Sequence, residues 1–347
     1  VLYSDFVKGE LQRLLAQAKA RVDAPYEVGY HDERVRYRNW LSSINNDSGA
    51  WLKAGVSPKM FEMSNNEFVS AICRRNTVED PTIPKYTEFI SREDPLMFRC
   101  SCEGSSRPKR VDPYGYHLVG CKIGANAIRL HDEVVAMVAK LFRSLRLDAI
   151  VEPLRLFSDV DEDASNQRPD IFIRNPRGLG RQVIIDVAVT GVDGQSRSND
   201  EATERPLQAR YDQKMAKYGR VAEQSGLLLV PAVFSHTGQI HGEFKAFVKE
   251  QIKQKLVAFE GDAKASKTRA AMKWWSKCIS MAIAKTASRN VAFKVAKMRE
   301  AIMMDQDEFL MRTSDQTEAG LERANATFLE DVAQNADLYI ANQSGSM

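Results

Sequence analysis

Cysteine is scarce in this chain of 347 residues: five thiols in all, too few and too unevenly placed for the disulfide framework of a small secreted domain. No apolar run approaches the roughly 20 residues that a membrane-spanning helix needs, and no signal peptide stands out. An intracellular protein with no membrane partner is therefore expected. The formal net charge of +3 is too small to announce a nucleic-acid partner by itself. A glycine-rich phosphate loop and a Gly-x-Ser-x-Gly nucleophile elbow are also missing, as is a reverse-transcriptase active-site signature. Nucleotide triphosphatases, serine hydrolases and polymerases are thereby set aside. The chain opens on Val1 rather than Met, as a fragment or a processed product would.

What is present fits a globular protein of two or more domains. Leu11, Leu14, Leu15 and Ala18 recur at helical spacing, and the N-terminal region reads as helical. Gly55 and Ser57-Pro58 mark a break, and Ser64 with Glu67 reads as a capping box. Pro81, Pro84 and Pro95 suggest a linker. Helical spacing returns from Ala125 to Leu145, and a strand is expected over Ala149–Phe157. The acidic loop Asp159–Asp163 precedes a second strand opened by Asp170, and Asn175-Pro176-Arg177-Gly178 turns into a third over Val183–Thr190. A helix over Glu201–Glu223 then leads to a buried strand, Leu227–Phe234. The order α-β-β-β-α-β predicts that the last strand lies parallel to the third, after a right-handed crossover.

Two carboxylates carry the chemistry. Asp170 opens one apolar strand, and Asp186 sits inside its neighbour, on the face it shares with Ile184 and Ala188. A carboxylate among buried apolar residues is costly unless it is paired or holds a metal. A salt bridge to Arg168 or Arg181 is the bland alternative. Two carboxylates on adjacent strands can hold a divalent cation, and an ammonium from Lys214 or Lys217 on the next helix can orient a water. Glu152, on the expected first strand, adds a third acid to the same scaffold. Hard oxygen ligands of this kind suit Mg²⁺ or Mn²⁺ better than zinc. The reaction they suggest is phosphodiester cleavage.

A second cluster has zinc chemistry. Cys100, Cys102, His117 and Cys121 form a ligand set suited to a closed tetrahedral Zn²⁺ site, although the Cys100–Cys102 spacing is tighter than usual. Buried cysteines beside a surface histidine are the alternative. Arg107, Lys109 and Arg110 within this knuckle are placed to meet phosphate. Cys73 and Cys278 read as packed thiols, and His31, His236 and His241 have no ligand-like spacing. From Lys264 to Arg299 ten basic residues occur with no acidic one, whereas acidic residues dominate after Asp305. Such a block reads as a solvated helical face or as a phosphate contact. Within it, Trp274 and Trp275 suit helix packing more than base stacking.

The order of elements resembles the PD-(D/E)XK nuclease superfamily of restriction enzymes and junction resolvases. The stretch from Trp51 to Phe234 more closely resembles the region downstream of reverse transcriptase in site-specific non-LTR retrotransposons, which carries a restriction-like endonuclease. The matching pieces are Ala50-Trp51-Leu52, then Asp112-Pro113-Tyr114-Gly115-Tyr116-His117-Leu118-Val119-Gly120-Cys121, and Arg129-Leu130-His131-Asp132. Arg168-Pro169-Asp170, Ile185-Asp186-Val187 and Lys214-Met215-Ala216-Lys217-Tyr218 complete the series.

The resemblance implies an α/β fold with an αβββαβ restriction-endonuclease-like core over 125–242. A zinc knuckle over 96–124 precedes it, with helical flanks over 1–95 and 243–347, the latter basic and then acidic. It makes Asp170 and Asp186 the Mg²⁺ or Mn²⁺ ligands, with Glu152 as a further oxygen donor. Lys214 becomes the catalytic lysine, displaced from strand to helix, because Ala188 stands where the superfamily's usual lysine would be. Lys217 remains its rival, with Tyr218 beside both. His131 takes the family's Arg-His position, with Leu130 intervening after Arg129. The implied protein is a nuclear, metal-dependent endonuclease that nicks DNA, with the RNA of a parent element as a second partner. Two alternatives stay open: a non-catalytic nucleic-acid-binding protein left by a domesticated or decayed element, and a structure-selective resolvase.

Overall fold

A computed structural model of the chain describes residues 30–54, 59–83, 99–100, 109–121, 125–153, 156–157, 168–192 and 204–303. The expectations placed on Leu11 to Ala18, Pro84, Pro95, Cys102, Arg107 and Asp159–Asp163 lie outside the described residues. The chain divides into two units, Val1–Val295 and Ala296–Met347; of the second, only the end of one long helix is described.

Helix α1 (Tyr30–Ile44) is followed by two short 3-10 turns and by α2 (Asn65–Arg75). Ser64 starts α2 as its sequence predicts. Its hydroxyl accepts from the Glu67 amide, and the Glu67 carboxylate accepts from the Ser64 amide, closing a capping box. Pro81 belongs to a built turn rather than a linker. The Asp80 amide donates to Pro113 O and the Asp80 carboxylate accepts from Ser70 and Thr82. A two-residue hairpin, β1 (Arg99–Cys100) with β2 (Lys109–Arg110), leads to the short helix α3 (Tyr116–Val119).

The centre of the molecule is a four-stranded mixed sheet. After α4 (Asn126–Ser144) come β3 (Ala149–Val151), β4 (Ile171–Ile173) and β5 (Val183–Thr190); α5 (Glu204–Gln224) then crosses to β6 (Leu228–Ser235). The strand order is β3-β4-β5-β6, with two antiparallel pairings and then the predicted parallel one. The fold is therefore mixed α/β.

One strand is shorter than its sequence suggests. β3 ends at Val151, not Phe157, because Glu152 takes a left-handed backbone (φ +47°) and Pro153 follows it. Apolar residues beyond that point pack without pairing: Phe157 is wholly buried in the cluster under α5.

β5 is buried along Val183–Ala188 because helices cover both of its faces. On one face Ile184 packs with Tyr218, Val221 and Ala222 of α5, while Ala188 meets Leu207 of the same helix. The other face is closed by aromatic contacts. Phe234 of β6 meets Phe244 of α6 (Gly242–Lys255), and Phe142 of α4 meets both Phe244 and Trp275 of α7 (Gly261–Met303). Phe142 is fully buried, so Phe142→Ala costs about 3–5 kcal/mol.

α7 corrects the view of the basic segment as a solvated face. Between Trp275 and Val295 the helix buries Ile279, Met281, Ile283 and Val291. Its small polar residues sit in the interior as well, among them Ser280, Ser288 and Asn290. The two tryptophans divide: Trp275 is buried, whereas Trp274 is partly exposed and packs edge-on against Phe61 at 5.2 Å between ring centres.

Candidate active site

The β4–β5 ladder pairs Ile171 with Ile185. One step further along the same register, Asp170 stands opposite Asp186. Directly opposed residues on antiparallel strands hold their Cβ atoms about 5 Å apart, and the two carboxylates are near enough for Asp170 to raise that of Asp186. The next strand adds a third acid in line, since the Glu152 amide donates to Asp170 O at 2.8 Å. The Glu152 side chain, however, is exposed. Among the described residues no three His, Cys, Asp or Glu side chains converge on one point.

Asp186 is 2% exposed. Burial pushes its carboxyl above the usual range, Lys214 pulls it back down and the neighbouring Asp170 raises it again. Its salt-bridge partner is Lys214, not Arg168 or Arg181, both of which are exposed. The Lys214 ammonium sits directly on Asp186 Oδ2, as ion pair and hydrogen bond together.

Asp170 is better supported. The Val187 amide donates to its Oδ2 at 2.5 Å, and His131 Nε2 lies 3.3 Å from the same oxygen. The hydrogen bond to Asp170, with Asp132 adding to it, pushes His131 up to about 9 against the cost of burial. At neutral pH it is therefore an imidazolium, held from its other side by Asp132 at 3.0 Å. Its Nε2 thus ties α4 to Asp170, the residue just before β4.

The helix α5 delivers the cations. Leu207, Tyr211, Lys214, Tyr218 and Val221 recur every three or four residues and form its sheet-facing stripe. Lys214 is the one charged member of that stripe, which places its ammonium against Asp186. Lys217 stands back from the pair: its ammonium donates to the Tyr218 hydroxyl at 2.7 Å, and that hydroxyl donates to Arg168 O at 3.3 Å. Burial, followed by Asp186 and Asp170, raises the Tyr218 hydroxyl well above the ordinary tyrosine range, so it stays protonated.

Sequence reading missed the lock that orients this end of α4. Asn126 and Asn290 exchange side-chain-to-backbone hydrogen bonds, at 3.0 Å and 2.7 Å, and also bind Leu118 O and Val119 O of α3. Arg129 completes it through Asn290 Oδ1 and Asn126 Oδ1. Arg129 is thus a clamp between α4 and α7, and only His131 of its motif reaches the carboxylates. The two asparagines lie 164 residues apart, so no local pattern could reveal them.

Half of the knuckle is described. His117 lies on α3 and Cys121 is buried just beyond it. The turn before them is built on Asp112, whose carboxylate accepts from the amides of Tyr114, Tyr116 and His117 at 2.9–3.1 Å. Of Cys100 only the backbone is described, paired with Lys109, and Cys102 lies outside the described residues. Cys73 and Cys278 are the packed thiols expected, buried and pushed up to about 11. His241 is buried as well, stacked on Tyr211 at 4.5 Å and hydrogen-bonded to Gln208 at 3.0 Å.

No protein-family model matches this chain. Nor does any curated protein match it significantly.

Proposed function

We propose that this chain is a metal-dependent DNA endonuclease with a PD-(D/E)XK-like core, related to the target-site endonucleases of non-LTR retrotransposons. One observation carries the reading: Asp170 and Asp186 oppose each other across two strands, with Lys214 against the second of them. A buried salt bridge alone would account for Asp186 and Lys214. It gives no reason for a second carboxylate in register beside the first, nor for a second ammonium one helical turn along.

The residues fit a hard divalent cation. Asp186 is buried and Asp170 half-buried on neighbouring strands, close enough for Asp170 to raise the Asp186 carboxyl, and paired carboxylate oxygens are the donors that a hard cation takes. Asp170 and Asp186 would hold Mg²⁺ or Mn²⁺, which supplies Lewis-acid polarisation of a phosphoryl oxygen and a more acidic bound water. The chain's own groups do the rest. Lys214 offsets negative charge developing on the phosphate or orients the attacking water. Lys217, anchored on Tyr218, adds a second positive charge behind it. His131 fixes the orientation of Asp170 through its hydrogen bond. The knuckle, with His117 and Cys121 as half of its ligand set, would hold a structural Zn²⁺ and help to engage DNA. No helix among the described residues is long and apolar enough to cross a membrane.

Relaxation of supercoiled plasmid with and without Mg²⁺ tests the proposal. The parent chain should nick only with the metal, and Asp170→Asn or Asp186→Asn should lose on the order of 100-fold or more in rate while still binding DNA. A parent chain that binds DNA but cuts it with neither Mg²⁺ nor Mn²⁺ would leave the non-catalytic reading. Strong preference for branched over linear duplex would point to a resolvase.

A further inference from the structure

A second cationic feature lies outside the carboxylate site. α6 and the first turns of α7 diverge around a groove of about 730 Å³. Lys245, Lys249 and Lys253 line one wall, Lys264 and Arg269 the other, and no carboxylate lines either. Two of the five have acid partners: Lys245 pairs with Asp47 at 2.7 Å and Lys253 with Glu250 at 3.5 Å. Lys264 feels Glu250 only at a distance. Lys249 and Arg269 are exposed and meet no carboxylate among the described residues.

Two facing walls of like charge repel each other unless anions enter between them. Ala246, Gly261 and Ala265 among the lining residues are small and leave room for close approach. The three α6 lysines recur every four residues, a rise of about 6 Å each, comparable to the step between successive phosphates along an extended strand. An acidic peptide would present carboxylates on flexible stems at irregular spacing. A polymer of evenly spaced, permanently charged groups fits the row better. We propose that the α6–α7 groove binds the phosphodiester backbone of a nucleic acid, positioning it without reading its sequence.

The inference does not depend on cleavage, and binding measured in EDTA keeps the two separate. The test compares three full-length proteins by fluorescence anisotropy over a series of salt concentrations, with a labelled DNA duplex and a labelled single-stranded RNA as probes. One is the parent. The second carries Lys249→Gln, Lys264→Gln and Arg269→Gln, which spare the pairs of Lys245 and Lys253. The third carries Lys53→Gln, Lys59→Gln and Lys140→Gln, removing three exposed cations elsewhere. The groove variant should unfold at the parent's temperature and bind at least about tenfold more weakly at 0.1 M salt. For the duplex its salt slope should fall by about 2 to 3, near 0.9 per lost phosphate contact. Loss for duplex alone assigns DNA, and loss for both probes assigns the shared backbone. The proposal fails if the groove variant binds as the parent does, if the control variant loses as much, or if polyglutamate shows the same groove-dependent loss.

Discussion

Asp170 and Asp186 face each other across the β4–β5 ladder, and a different cation attends each: His131 on Asp170, Lys214 on Asp186. The asymmetry has consequences. Asp170 is oriented by a backbone amide and an imidazole, so its position is set before any ligand arrives. Asp186 is buried with a single ion-pair contact, and depends on its partner to stay charged.

Lys214 and Lys217 should therefore behave differently. Lys214→Met strands a buried carboxylate and should lower stability by about 3 kcal/mol near pH 8. The loss should shrink as pH falls and Asp186 takes up a proton. Lys217→Met, on an exposed residue, should cost less than about 1 kcal/mol. Urea unfolding reads both, and single-turnover nicking should rank the variants in the same order. Greater damage from Lys217→Met would reverse the assignment.

Glu152 offers a sharp negative control. Its left-handed backbone costs a non-glycine residue about 1 kcal/mol, and its side chain is exposed. Glu152→Gly should leave the fold slightly more stable and the nicking rate within about twofold of the parent. A collapse in rate equal to that of Asp170→Asn would make Glu152 a metal ligand.

The knuckle is tested by metal content. Purified protein should carry about one zinc per chain. Cys121→Ser should reduce it, while Cys73→Ser, at a thiol buried elsewhere, should not. Equal zinc in parent and Cys121→Ser, or none in the parent, would remove the metal from this loop.

His241 supplies a pH test away from the carboxylates. Burial holds it below its ordinary 6.5, against the pull of Glu243, Glu204 and Asp212, and its Nδ1 has no partner among the described residues. The unfolded chain thus takes up this proton more readily than the folded one. Its contribution to stability is complete above about pH 6.5 and declines as pH falls below that value. His241→Gln should flatten the acid side of the stability curve; an unchanged slope between parent and variant would show that His241 titrates normally.

Much of the sheet was legible because its signals are local. The run Val183–Thr190 is apolar, bounded by a turn and long enough for a buried strand. The crossover followed from a helix-length segment between two such runs. Asp186 stands out in the sequence as a charged residue at an apolar position, whereas the choice between Lys214 and Lys217 needs the register of α5 against the sheet. β3 stops short of its apolar pattern, which Leu154, Leu156 and Phe157 continue, because the backbone turns left-handed at Glu152, and that turn leaves no mark in composition. The packed stretch of α7 escaped for a related reason. Its interior positions hold serine, threonine and asparagine, whose burial depends on partners distant in sequence, such as Glu67 for Ser288 and Asn126 for Asn290. The Asp80–Ser70–Arg74 network that fixes α2 is of the same kind.

Binding of Mn²⁺, followed by electron paramagnetic resonance on the zinc-loaded protein, tests the pairing of the two carboxylates most directly. The parent should bind one Mn²⁺ per chain, Glu152→Gly should match it, and Asp170→Asn and Asp186→Asn should each weaken binding by more than about tenfold. If both asparagine variants bind Mn²⁺ as tightly as the parent does, the two aspartates do not share a cation and the nuclease assignment falls.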